Sequence, residues 1–295
     1  MKKTLKKALL ALMTALLLVS VLAVAVADDP VTITMAMTAP WETFIPFNTT
    51  NANSDAVLEL MFDKMIVVKA NGEHEPRLAD SWEQNDLVLT FRLNENATWH
   101  DGEPVTADDV VFTAKLMANP AITHPRRSKV AFFTGTDNSG VLVEGEEFGV
   151  KALDAHTVEF TMKNPAPLSY MITQTFRDFY VLPEHLLADI PAEEIMTNDF
   201  WQHPIGSGPC IYESSISGER VEFTANKNYY LGAPEFDRFV VRVVAASNLL
   251  SGLMSGEIDI VAGAGIGNIP MNDWDMAKMQ DNLTTESVQS LGYQY

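Results

Sequence analysis

The chain between Leu78 and Met117 carries the clearest alternation of apolar and polar positions. Leu87, Leu89, Phe91 and Leu93 alternate with Val88, Thr90 and Arg92, the period of two of a strand with one buried face. Asn94 to Asn96 and the pair Asp101-Gly102 then supply turn chemistry, because aspartate bonds its own backbone and glycine accepts positive φ. The period next lengthens to that of a helix. Ala107, Val110, Val111, Ala114 and Met117 form one apolar stripe, Thr106 can cap the first turn, Asp108 and Asp109 stand where the helix dipole favours anions, and Pro120 ends the run.

The same reading extends along the chain. Val31 to Met37 is β-branched and alternating, an opening strand. Residues 38–53 hold Pro40, Pro46, three asparagines and Thr49-Thr50, too broken for a regular element and of the kind that carries binding groups at the mouth of a sheet. Ser54 to Met65 predicts a helix capped by Ser54; Ile66 to Val68 a short strand; Asn71-Gly72 a tight turn. Asn119 to Gly140 is a long polar connection whose basic cluster, Arg126, Arg127 and Lys129, reads either as a solvated face balancing local acids or as part of a lid that brings Phe132 to a ligand. Val158, Phe160 and Met162 share one face of a strand after a turn at Asp154-Ala155. Beyond Pro165 and Pro167, a short helix begins near Val181 to His185. Gly206 to Pro209 is a turn, Val221 to Ala225 and Phe239 to Val244 are strands, Leu249 to Met254 is a short helix, Ile258 to Val261 is a buried strand, and Asn282 to Tyr295 starts to alternate again.

Composition adds a compartment. Lys2, Lys3, Lys6 and Lys7 precede an apolar run from Ala8 to about Val26, and Ala25 and Ala27 stand before Asp28, the layout of a secretory signal peptide over residues 1–27. An uncleaved anchor is the alternative, since the run approaches the roughly 20 residues that span a bilayer. Without those four lysines, 16 of the 20 basic side chains face 39 acidic ones, a net charge of −23, which makes nucleic acid an unsuitable partner. Cys210 is the single cysteine, so stability rests on core burial and no intramolecular disulfide can form.

Catalytic and metal chemistry find little support. The six histidines His74, His100, His124, His156, His185 and His203 show no H-x-x-x-H or H-E-x-x-H spacing, and one thiol cannot build a thiolate cage. His100-Asp101 are neighbours in a turn and point apart. Asp108 and Asp109 diverge by roughly 100° on a helix and read as helix-start acids. No G-x-S-x-G elbow occurs, and Gly206 to Pro209 lacks the spacing of a phosphate loop. No cofactor or metal is expected.

The order Leu78 to Glu83 (LADSWE), a strand ending Phe91-Arg92-Leu93, Trp99 to Gly102 (WHDG) and Pro104 to Phe112 (PVTADDVVF) resembles family 5 of the bacterial extracytoplasmic solute-binding proteins, the peptide- and nickel-binding receptors of ABC importers. Ile45 to Phe47, Gly206 to Pro209, Asn226 to Tyr230 (NKNYY) and Ser255 to Ile260 (SGEIDI) follow in family order. The resemblance implies an α/β fold with mixed sheets, like class II periplasmic binding proteins. It would comprise a discontinuous first lobe (28–50 and 180–268), a family-specific subdomain (51–179) and the start of a truncated second lobe (269–295). It also implies an exported monomer, periplasmic or extracellular; the lipid-bearing cysteine that many members carry at the leader boundary is not found there in this sequence. Such a protein presents an oligopeptide to permease subunits by hinge closure and is not an enzyme.

Carried over from the family, the ligand face comprises Thr49, Thr50, Asn51 and Ala52, then Ser207, Gly208 and Cys210, then Gly263 and Ala264, with Phe132 and Tyr293 as further contacts. Cys210 replaces an aromatic residue frequent after the family's G-x-G-P and reads as a small buried hydrophobe. A metal chelate, an oligosaccharide or an opine-like solute stays open as cargo, and a secreted hydrolase or a structural surface protein as function.

Overall fold

A computed structural model describes residues 29–69, 73–261 and 266–285. The chain divides into two compact units, residues 1–30 and 31–295, and the architecture below is that of the second. The expected leader over 1–27, the Asn71-Gly72 turn, Gly263, Ala264 and Tyr293 lie outside the described residues.

Strand β1 (Thr32–Met37) leads through a 3-10 turn, Pro46–Asn48, to helix α1 (Ala52–Met61). The strands β2 (Ile66–Val68), β3 (His74–Pro76), β4 (Ala79–Asn85) and β5 (Val88–Leu93) follow, then helix α2 (Ala107–Ala118). After a long connection come β6 (Val150–Asp154), β7 (Thr157–Thr161), α3 (Leu168–Gln174) and α4 (Glu184–Leu187). The last stretch holds β8 (Cys210–Ile216), β9 (Arg220–Ala225), β10 (Arg238–Val243), α5 (Leu249–Ser255), β11 (Ile260–Val261) and α6 (Met271–Lys278).

One sheet has the order β11-β1-β10-β9-β8. Its first three strands are parallel, β9 runs antiparallel to β10, and β8 antiparallel to β9. Thr32 pairs with Arg238, so the opening strand is completed by one about two hundred residues later. A second, antiparallel sheet has the order β4-β5-β7-β6, and β2 and β3 form a two-stranded ribbon. Alternation in β5 buries Leu89, Phe91 and Leu93, as its period requires. Helix α2 packs against β6 and β7. Under the second sheet, Phe91, Phe133, Phe160, Phe176 and Phe179 are fully buried and pack edge-to-face or tilted, a geometry that aromatic quadrupoles favour.

Four expectations need correction. Helix α1 is capped by Asn51, whose side chain accepts from the amides of Asn53 and Ser54; the Ser54 hydroxyl instead accepts the Glu42 amide at 2.9 Å. The helix stops at Met61 rather than Met65, because Phe62 turns extended and Lys64 bridges to Tyr180. Strand β11 is shorter than the expected Ile258 to Val261 and leaves Ile260 46% exposed, since it pairs only with β1. Strands β4 and β8 had no apolar alternation to announce them. Each is an edge strand whose two faces are largely solvated. No helix among the described residues is long and apolar enough to cross a membrane.

Candidate functional site

The loop after β1 is strapped by its own side chains. Thr38 donates its amide and its hydroxyl to the Ile266 carbonyl at 2.8 and 2.9 Å, which ties the loop to the chain following residues 262–265. Asn53 Nδ2 donates to Ala39 O. Asn51 Nδ2 donates to Glu42 Oε1, and the Asn51 amide reaches Thr49 Oγ1, both at 3.0 Å. Of the four residues expected here, Thr49 is buried and Asn51 is taken up by capping, whereas Thr50 and Ala52 are exposed. Among the described residues no hydrogen bond engages the Thr50 or Ala52 amide. An exposed, unpaired amide at a helix start is a donor for a carbonyl or carboxylate.

Ser207, Gly208 and Cys210 lie at the other end of α1, about 15 Å away for ten residues at helical rise. There the Gly206 to Pro209 turn is wedged against the last turn of the helix. Gly208 N donates to Met61 O at 2.7 Å, and Ser207 Oγ accepts the Asp63 amide at 3.3 Å. Ser207, Gly208 and Cys210 are all buried, and burial pushes the Cys210 thiol up to about 12. The structure therefore brings these three together with one another but not with Thr49 to Ala52. Phe132 stands apart from both groups, half-buried and edge-on to Tyr170 at 5.8 Å on the second sheet's side. Two recesses, of about 500 Å³ beside the end of β10 and about 550 Å³ between α2 and residues 187–192, are lined by none of the expected residues.

The Trp99 to Gly102 motif acts as a joint. His100 Nδ1 accepts the Gly206 amide at 3.2 Å, which fixes the neutral tautomer, and Nε2 then donates to Gly208 O at 3.0 Å. Asp101 pairs with His185 at 2.9 Å. Trp99 Nε1 donates to Asp109, which also accepts the amides of Thr106 and Glu184 at 2.8 Å. Asp109 is thus a buried junction between α2 and α4, more than a helix-start acid. Its neighbour Asp108 is exposed, as a helix-start acid should be.

A second buried carboxylate was missed by sequence reasoning. Asp63 Oδ2 accepts the hydroxyls of Tyr229 and Tyr230, each at 2.9 Å, which gives the NKNYY motif its role. Burial raises its pKa from 3.8 to about 6, against the lowering effect of those hydroxyls. Burial likewise lowers His100 from 6.5 to about 4.

These two shifts act on stability with opposite signs. The His100 contribution is full above pH 6.5 and is lost as pH falls toward 4, because the unfolded chain binds the proton first. The Asp63 contribution is full below pH 3.8 and is lost as pH rises through 6. Over pH 4–6 they offset one another. Asp63→Asn removes one arm, so its urea-unfolding free energy is expected to fall by about 2 kcal/mol more than that of the unsubstituted chain between pH 6 and 4. Parallel pH curves for the two proteins would contradict this assignment.

Among the described residues, no group of three or more His, Cys, Asp or Glu side chains is placed to hold a metal ion.

Comparison with known proteins bears on these features. The family model for bacterial extracellular solute-binding proteins, family 5 Middle, matches residues 73–295. A putative ABC transporter peptide-binding protein of Brucella ovis is 34% identical over 185 residues, covering 61% of this chain and 32% of its own. The periplasmic oligopeptide-binding protein OppA of Salmonella typhimurium is 28% identical over 211 residues, 68% of this chain and 37% of its own. Among solved structures, the oligopeptide-binding protein AppA from Bacillus subtilis, in complex with a nonapeptide, superposes with a TM-score of 0.72 at 21% identity, over 86% of this chain and 47% of that one. NikZ from Campylobacter jejuni, in complex with Ni(L-His), gives 0.67 at 26% identity, over 85% and 45%. The chain spans about a third of the length of these curated relatives.

Proposed function

The chain belongs to family 5 of the bacterial extracellular solute-binding proteins, and from that membership we propose that it captures short peptides outside the cytoplasm for an ABC importer. The five-stranded sheet with its helices is the first lobe, and the β4-β5-β7-β6 sheet with α2 is the subdomain inserted between β1 and β10. The family match over residues 73–295 carries the reading. The unpaired Thr50 and Ala52 amides support it, because a peptide main chain is recognised by such donors and a small side chain at position 52 leaves it room.

In this reading Thr49 and Asn51 shape the loop, and Ser207, Gly208 and Cys210 hold the far end of α1. By the family resemblance, Gly263, Ala264 and Tyr293 are further contacts of the solute. Phe132 touches the solute from farther out. Closure by an opposing surface encloses the solute and hands it to permease subunits, and no bond in the solute is made or broken.

Native mass spectrometry of the purified chain after exposure to a defined pool of tri- to pentapeptides tests this. Intact peptides should be retained, and Ala52→Trp should lower retention about tenfold or more by filling the space over the amides. Retention of nickel–histidine in preference to every peptide, or recovery of cleaved peptides, would overturn the assignment.

A further inference from the structure

Arg126 belongs to the basic cluster that the sequence allowed as a solvated face or part of a lid, yet its side chain is only 2% exposed. One arm of the guanidinium donates to Pro46 O at 3.0 Å and the other to Asp55 Oδ1 at 2.5 Å. These acceptors bracket the candidate loop: Pro46 begins its 3-10 turn, Asp55 stands in the first turn of α1, and Thr49 to Ala52 lie between them. Two residues earlier, His124 is buried as well. Its Nδ1 is 3.2 Å from Phe47 O, its Nε2 is 2.8 Å from Met117 O, and its ring stands edge-on to Phe47 at 5.1 Å. The Tyr180 hydroxyl adds a bond to Asp55 at 3.3 Å.

Burying a cation is unfavourable unless its geometry is filled. Here two nitrogens of one rigid planar fork grip two points that lie nine residues apart in sequence, a fixed spacing that a flexible single-point ammonium does not reproduce. A loop of this length left free would have to be ordered when solute arrives, and that ordering would subtract from affinity. We propose that Arg126, with His124 as a second strut, is a positioning residue that fixes the Thr50 and Ala52 amides toward solute before binding. The inference rests on the reading of that loop as the solute-facing one.

Hydrogen exchange and peptide titration on the 295-residue chain test it together. In Arg126→Met, the hydrogen-bonded amides of Asn48, Asn51 and Asn53 should exchange about tenfold faster or more while β5 keeps its protection, and affinity for the tri- to pentapeptide pool should fall about tenfold. Arg126→Lys keeps the charge and loses the fork, so it should resemble Arg126→Met on both readouts. Unchanged exchange at Asn48, Asn51 and Asn53, equal acceleration in β5, or undiminished peptide affinity in a loosened variant overturns the proposal. If the unsubstituted chain retains no peptide, the reading of function fails, and the exchange comparison still decides whether Arg126 fixes the loop.

Discussion

Gly206→Ala is expected to destabilise the fold severely. A methyl group at this position would lie well inside van der Waals contact of the Met61 carbonyl and 3.3 Å from His100 Cε1. Neither side can retreat. Gly206 is held through its carbonyl by the His100 amide at 2.8 Å and through its own amide by His100 Nδ1, while the Met61 carbonyl accepts the Gly208 amide. Displacing that carbonyl therefore breaks a buried hydrogen-bond network as well as the packing. The combined cost is about 4 kcal/mol or more, against a total stability of about 5–15 kcal/mol for an ordinary domain. Urea unfolding with tryptophan fluorescence reads it. Gly218→Ala is the control: nothing lies within 4 Å of the added methyl, and only its φ of +76° opposes the change, so about 1 kcal/mol is expected. A Gly206→Ala protein within about 1 kcal/mol of the unsubstituted chain would show that the turn is not wedged as described.

Phe160→Ala should cost about 3–5 kcal/mol. Its ring is wholly buried and lies 5.7 Å from Phe91, 5.0 Å from Phe133, 5.1 Å from Phe176 and 6.3 Å from Phe179. Truncation leaves a cavity walled by four rings that belong to β5, the long connection, and the 3-10 turn Phe176–Asp178 with the residue that follows it, and these cannot all collapse inward together. Aromatic pairing, about 0.5–1.5 kcal/mol for a pair of rings beyond simple burial, is included in that cost. Tyr170→Ala removes a ring that also has one aromatic neighbour but is 47% exposed, and should cost below about 1 kcal/mol. Equal destabilisation by the two substitutions would mean that the phenylalanine cluster is not the centre of the second sheet's core.

The sequence made legible what local periodicity encodes. Strand β5 and helix α2 announce themselves because one face of each is buried, so Leu89-Phe91-Leu93 and Val110-Ala114-Met117 keep their periods. Edge strands β4 and β8 do not, because solvent on both sides lifts the constraint that writes the pattern. Arg126 was misread for a different reason. A cation beside another arginine suggests water, and nothing within reach of a short window reveals that Asp55, 71 residues earlier, waits to pair with it. Ser207 and Gly208 were correctly placed in a turn, yet their burial depends on the approach of the Met61 carbonyl from a distant helix. Ser54 and Asn51 are both good cap residues, and the choice between them was made by Glu42, whose amide occupies the serine hydroxyl. The family pattern named the loop, but only geometry separates outward Thr50 and Ala52 from inward Thr49.

Cys210 has a practical corollary. The sole sulfhydryl is sealed at 0% exposure with its ionisation suppressed, so alkylating dyes will pass it by. A cysteine introduced at Thr50 would then be the single reactive handle, and a fluorophore there could report solute arrival without first stripping the native thiol from the chain.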